Sequence, residues 1–495
     1  MFSIHLPVIV LLIPLVTALI IPVIADRNSA LLQFVVGSAM ILATLLVAIA
    51  LSGTLRGEIF TYYFGDWLPG LGIEFIINVF SGFMSLLVLF MATLILFYAF
   101  KDISHDLPEH LIPYYYTLIF LMLFAMIGMI YTNDLFNLYV FMEILSLTSC
   151  AIVSIKRTGK NLLASIKYLM QGTIGSVSIL MGIAFIYMAS GHLNISTIAE
   201  TMPAIWAAHP QNVLIALGFM LTGFGIKAAV FPLHTWLPDA HSTAPTPSSA
   251  LLSGLVVKIY LFAMMKVMFQ VIGIDILREV GIQFFLVLFA VAGMIMGSVF
   301  AIGQKDLKRI LAYSSVAQIG YIMLGIALAS PSGLNAAFFH VVSHALMKGA
   351  LFLSAGAIIY NTGKRNVDDF NGIGYRMPFS MTVFTIAAFG MIGIPGVSGF
   401  ISKWYLSMAV MEGGHPWILL VILFSSFLNS MYYLPIVIKG FLCAECEGSP
   451  NVMGRDSLPA SMWIPMAIMA FLIILFGLFP QLIMNITGQM PHLFL

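Results

Sequence analysis

Apolar stretches long enough to cross a lipid bilayer follow one another along the whole of this 495-residue chain. A transmembrane helix needs about 20 predominantly apolar residues. The first such stretch, HLPVIVLLIPLVTALIIPVIA, has neither a basic start nor a small-residue cleavage site, so it reads as a retained helix and not a signal peptide. Turn residues and charges divide the rest. About fourteen helices result, near 3–24, 30–52, 73–100, 112–131, 135–155, 162–190, 212–235, 246–271, 282–303, 307–329, 334–360, 379–411, 416–441 and 461–485. The expected fold is all-α and polytopic. Composition leaves no soluble alternative: 8% of residues are charged, against about 25% in a water-facing domain.

Several function classes fall away. The net charge of +1 gives no footprint for nucleic acid. Three cysteines, Cys150, Cys443 and Cys446, are too few for a disulfide scaffold. Cys443 and Cys446 form a C-x-x-C without further ligands, and read as two reduced thiols at a helix end. No nucleotide-binding glycine motif, P-loop or iron–sulfur cysteine set is present, so the chain is expected to carry no cofactor and no catalytic chemistry.

An even number of helices puts both termini on one side. One set of loops holds Arg27, Lys101, Lys156, Arg157, Lys160, Lys305, Lys308, Arg309, Lys364, Arg365, Arg376 and Arg455; the other holds only Arg56 and Arg278. That asymmetry makes the first set cytoplasmic and both termini non-cytoplasmic, in a cell membrane.

Seven lysines fall inside the spans. Lys167, Lys266 and Lys439 sit near helix ends, where a long side chain snorkels to the interface. Lys227, Lys258, Lys348 and Lys403 sit deep, and Glu143 is the one deep acid. Each charge at the bilayer centre costs roughly 2.5–3.5 kcal/mol. A fixed Glu–Lys pair would hold helices together, but four lysines facing one acid leave neutralisation incomplete. A lysine caught between desolvation and a movable carboxylate is a proton carrier.

Two spans are broken. Pro232 and Pro238 follow Lys227, and Gly393, Pro395, Gly396 and Gly399 precede Lys403. Non-helical backbone at membrane depth is tolerated where protein or a water cavity shields it. Matching breaks in two halves point to inverted repeats and an ion path. His340, His344 and Lys348 are four apart, on one helical face. Two histidines so spaced suit zinc, but no third ligand is evident; neutral imidazole suits a proton relay.

The stretches FMEILSLTSC, GIKAAVFPLHTWLPDAHSTAPTPSSALLSGLVVKIY, QKDLKRILAYSSVAQIGY, HVVSHALMKGALFL and GIPGVSGFISKW resemble the antiporter-like subunits shared by Mrp-type cation/proton antiporters, respiratory complex I and membrane-bound hydrogenases. The resemblance implies fourteen helices in two inverted five-helix repeats, each with a broken helix. Residues 1–105 would hold helices one to three, 110–272 the first repeat, 280–442 the second, and 455–495 the last helix. By resemblance, Glu143, Lys227, Lys258 and Lys403 correspond to the family's proton-path residues on helices five, seven, eight and twelve. His241 corresponds to the histidine beside the broken helix, and His340, His344 and Lys348 fall on the polar eleventh helix. Lys403 departs from the glutamate of one complex I branch, and Gln318 stands where some relatives have histidine. FGDWLPGLGIEFIIN looks like the D-type branch of the Mrp antiporter subunits.

The expected function is proton translocation coupled to sodium, as one subunit of a multi-subunit Mrp-type antiporter embedded in lipid. The alternative is a proton-pumping subunit of a complex I-like or hydrogenase assembly. A solute transporter would need a substrate-shaped pocket, and a redox subunit would need a quinone or haem site.

Overall fold

A computed structural model describes residues 2–24, 29–67, 72–443 and 456–490; Arg27, Cys446 and Arg455 lie outside them. The first six spans are α1 (Phe2–Ile24), α2 (Ser29–Thr54), α3 (Val79–Asp106), α4 (Ile112–Tyr131), α5 (Leu135–Ser154) and α6 (Gly159–Ser190). A short α7 (Ile195–Ala208) precedes the broken seventh span, formed by α8 (Pro210–Lys227) and α9 (Leu237–Thr243). The eighth span is built from α10 (Thr246–Leu251) and α11 (Val257–Met265), with π-helical turns at Leu252–Val256 and Lys266–Ile272. After α12 (Ile274–Val280) come α13 (Ile282–Ile302), α14 (Leu307–Ala327) and α15 (Pro331–Thr362). A short α16 (Ile373–Arg376) leads into the broken twelfth span, α17 (Pro378–Ile392) and α18 (Ser398–Glu412). The chain continues with α19 (Pro416–Leu442), α20 (Ala460–Leu478) and α21 (Gln481–Thr487).

Twelve uninterrupted helices among the described residues are long and apolar enough to cross a membrane, and the two broken spans complete the expected fourteen. The chain is an all-α polytopic membrane protein. Two short elements interrupt the sequence-derived picture. Residues 73–78 do not begin the third helix; they form β2 (Glu74–Ile77), paired antiparallel with β1 (Phe60–Tyr63). The helix starts at Val79 because Asn78 and Ser81 cap it reciprocally. At 14 residues α7 is too short to span, so its apolar pattern carried no membrane signal.

The repeat is written into the caps. Asp134 caps α5, and its backbone bridges Asn194, which caps α7. Asp306 caps α14, and it bridges Asn366 in the same way, 172 residues later at both positions. Between the bridge partners lies a helix of 32 residues in each half, α6 and α15, capped by Thr158 or Ser330 and ended by Gly191 or Gly363 in the left-handed conformation. The flanking backbone bonds recur too: Leu135 N to Leu193 O and Leu307 N to Arg365 O, both 2.9 Å. Five spans separate the two bridges, and an odd number puts them on opposite membrane faces. The halves are therefore inverted repeats.

Polar residues sit on the most enclosed spans. The apolar windows of the eighth, tenth and eleventh spans are each 94% buried, against 39% for the first, second and fourteenth. The outer helices thus hold lipid away from the polar axis, which is where membrane-depth polar groups are tolerated.

Candidate proton-path site

Lys227 is the last residue of α8, and the chain unwinds beyond it. Helices α6 and α8 meet at Gly175 and Gly223, where a Cβ on either glycine would press on the backbone carbonyl of the other. That approach brings Ser176 and Lys227 to one place on α5. Lys227 Nζ donates to Ser146 Oγ at 2.8 Å and lies 3.4 Å from Glu143 Oε1, which also accepts from Ser176 Oγ. The side chain of Lys227 is 0% exposed, but that of Glu143 is 31% exposed. Glu143 is therefore at the lateral surface of this chain, not sealed inside it.

The unwound stretch frees carbonyls at the end of α8. Trp236, 1% exposed, donates its indole N–H to Ile226 O at 2.9 Å and stacks on Tyr168 with ring centroids 4.0 Å apart. Pro232 lies in this stretch; Pro238 opens α9, where a missing N–H costs nothing. His241, on α9, is fully buried, and neither ring nitrogen has a protein partner among the described residues. The charges of Lys348, Lys258 and Lys308 all bear on its ring.

Lys258 sits one π-turn along the eighth span. Its Nζ donates to Ser253 O, five residues back, a carbonyl on the wide turn Leu252–Val256. Ser253 Oγ and Ser315 Oγ are 2.7 Å apart, which ties this turn to α14. The charge of Lys258 bears on His344 and His340 of α15. Those two rings lie nearly parallel, 6.0 Å apart. His340 Nδ1 shares a 2.8 Å hydrogen bond with Ser402 Oγ, next to Lys403. Lys403 Nζ donates to Met391 O at 2.9 Å, Ile392 O at 3.0 Å and Ser426 Oγ at 3.0 Å, and sits 4.8 Å from the Tyr321 ring. The carbonyls are those freed where Gly393, at φ +93°, ends α17; Pro395 and Gly396 complete the unwound turn. Lys348 donates to Leu311 O at 2.6 Å and to Ser314 Oγ, which pairs with Tyr433 Oη at 2.9 Å.

The side-chain nitrogens of His344, Nε2 of His340 and both amide atoms of Gln318 are buried without protein partners among the described residues. Buried polar atoms are seldom left unbonded, and a polar pocket of this kind takes ordered water. From Lys258 at the end of the first half, through His344 and His340, to Lys403 in the second, runs a row of protonatable groups with no carboxylate paired to it among the described residues. Lys227 stands apart: no hydrogen bond or ion pair joins it to Lys258 among the described residues.

Two sequence expectations need correction, and one buried acid goes unnamed in them. Asp102, near the end of α3, is 4% exposed. Lys308 is not a loop cation; at 3% exposure it donates to Ala244 O at 3.1 Å. Lys266 does not snorkel; it is 7% exposed and donates to Ile130 O and Thr132 O. Each lies near a span end, and neighbouring helices that the sequence does not reveal cover it. Around Asp102 gather Tyr98, Lys308, Lys156 and Asp106, the last two ion-paired at 2.8 Å and partly exposed. A set of charged groups therefore runs inward from the cation-rich loop face to Lys308, beside His241.

The family described as NADH:quinone oxidoreductase/Mrp antiporter, transmembrane, matches residues 132–429, more than half the chain. The chain belongs to this family. It is 36% identical to NADH-quinone oxidoreductase subunit N of Desulforudis audaxviator over 97% of both chains. It is 30% identical to the D-type subunit of an Na(+)/H(+) antiporter of Alkalihalophilus pseudofirmus, covering 82% of this chain and 80% of that one. A chain of the membrane-bound sulfane sulfur reductase, an archaeal respiratory membrane complex, superimposes with a TM-score of 0.91 at 29% identity, covering 98% of this chain and 97% of that one. The protein is thus an antiporter-like subunit of the kind found in Mrp or complex I-like assemblies.

Proposed function

We propose that this antiporter-like protein conducts protons across a cell membrane, within a multi-subunit complex, along the axis His241, Lys258, His344, His340 and Lys403. The observation that carries the reading is the row of buried amines and imidazoles, Lys258 to Lys403, enclosed by helices and unmatched by acids. Fixed structural charge would be paired; groups that take and release protons need only water and neighbours of similar basicity. Protons enter from the cation-rich loop face, taken as cytoplasmic, by way of Asp106, Asp102 and Lys308. Glu143 and Lys227 form a side switch: at 3.4 Å the ion pair is loose, and its movement changes the charge facing the axis.

The drive is redox work on partner subunits. The higher identity and fuller coverage of the NADH-quinone oxidoreductase relative support this over sodium exchange. The second reading, Mrp-type sodium–proton exchange, draws on the Na(+)/H(+) antiporter relative. The test is the native complex in sealed vesicles with a pH-sensitive dye. Electron-donor-dependent acidification that persists without sodium supports the redox reading. Acidification that follows a sodium gradient and ignores the donor supports exchange. Neither response in intact complex would reject proton conduction.

A further inference from the structure

Lys266 is used by none of these steps, yet it is a buried amine on the same span as Lys258. Its Nζ contacts Ile130 O at 3.3 Å and Thr132 O, backbone acceptors where α4 ends, and no carboxylate pairs with it among the described residues. It also lines a cavity of about 360 Å³ together with Asn78, Ser81, Asn133, Ser196 and Gln270. The rim of the cavity is fixed: Asn133 and Asn194 both donate to the buried Glu74, at 2.7 and 3.1 Å. Asn133 and Ser196 belong to connections after α4 and α6, so the cavity lies towards the cation-poor face. Eight residues of helix separate Lys258 from Lys266, a rise of about 12 Å. Phe262 stands midway between them, stacked on Phe80 at 4.3 Å, with Phe338 5.1 Å from Phe80. Three aromatic rings thus divide the central axis from a polar space, roomy enough for several waters, that already holds an amine.

We propose that Lys266 is the proton-release site of the first half, and that the Phe80–Phe262–Phe338 cluster is the gate before it. This rests on the proton-conducting reading above. A proton leaves the ammonium of Lys258 through water admitted when Phe262 swings aside, and binds the neutral amine of Lys266. Lys258 is left neutral and is reloaded from His241, on the uptake side of the axis. The ammonium of Lys266 then gives its proton to water in the cavity, and returns to a neutral amine held by the two carbonyls. The two carbonyls hold the nitrogen at the cavity, and the apolar wall formed by Phe262 opposes return. A mere cap on the end of α4 would need the positive charge but not the titration.

The test uses the whole complex in sealed vesicles, with assembly checked by co-purification. Lys266→Arg keeps the charge and its hydrogen bonds but not the release of a proton, so proton transport falls about tenfold or more. Lys266→His, which titrates, keeps a measurable part of it. Phe262→Ala makes vesicles leak protons without drive. In a chain whose native cysteines are serine, Ser196→Cys reacts with a membrane-impermeant thiol reagent from the cation-poor face only. Full transport by Lys266→Arg, or labelling of Ser196→Cys from the opposite face, overturns the proposal. Failure of wild-type vesicles to move protons would instead reject the underlying reading, and the labelling result would stand on its own.

Discussion

The ammonium of Lys403 closes the end of the helix that precedes it: its Nζ lies 2.9 Å from the carbonyl oxygen of Met391, twelve residues earlier. In the other half the equivalent carbonyl, Ile226 O, is held by the indole of Trp236. One broken span is thus sealed by a group that cannot titrate, the other by one that can. A neutral Lys403 amine would keep two N–H donors and lose one of its three bonds to Met391 O, Ile392 O and Ser426 Oγ, so proton release there would change the shape of the break.

Lys403→Ala is therefore expected to lower proton transport about tenfold or more, which corresponds to about 1.4 kcal/mol on the barrier. Lys403→Arg should be nearly as poor, since arginine does not release its proton in proteins. Vesicle acidification by matched amounts of assembled complex measures both. Full activity with arginine would make Lys403 a fixed charge.

Glu143→Ala should leave the complex assembled, because the carboxylate is 31% exposed and Lys227 keeps its bond to Ser146. Transport should still collapse, because the side switch has lost its moving charge. Wild-type rates from Glu143→Ala vesicles, at equal protein, would show the pair to be structural.

Asp102→Asn should slow proton uptake several-fold, and Asp102→Glu should restore most of it. The carboxyl is 4% exposed, and one of its oxygens has no protein partner among the described residues, which fits a transient proton site. Equal rates for Asp102 and Asp102→Asn complexes would remove Asp102, Asp106 and Lys308 from the uptake route.

What the sequence conveyed depended on the physics behind each signal. Hydropathy located the spans, since lipid demands about 20 apolar residues. Glycine and proline located both breaks, since Pro232, Gly393 and Pro395 cannot continue a helix there. The face carrying His340, His344 and Lys348 followed from helical spacing, and all three are buried on α15. The π-turn that exposes Ser253 O to Lys258 has no composition of its own, and leaves no trace in the sequence. Lys266 and Lys308 were misplaced, and the buried Asp102 was passed over, because distance from a span end does not show what packs over it. The repeat register has a faint sequence signal: an Asp-Leu pair at 134 and 306 is followed sixty residues on by Asn194 and Asn366, each three after a glycine.

The loop pin at Asp368 provides a control. Hydrogen bonds from Lys439 and Lys305, at 2.7 and 3.0 Å, hold its carboxyl at about 2. A depressed carboxyl stabilises above its unfolded value near 3.9, and that contribution fades as pH falls through about 2. Above pH ~5 it is constant. Asp368→Asn should therefore leave the pH profile of transport between about pH 6 and 9 unchanged. A shifted profile would connect this exposed pin to the proton path.

In the proposed axis every proton passes through Lys258. The most direct measurement is drive-dependent acidification of sealed vesicles holding the intact complex with Lys258→Ala, beside wild type, with subunit composition matched. Lys258→Ala vesicles are expected to hold an imposed pH gradient as well as wild type but to generate almost none of their own. Acidification at the wild-type rate would contradict it, because the axis from His241 to Lys403 would then have lost its middle member without consequence.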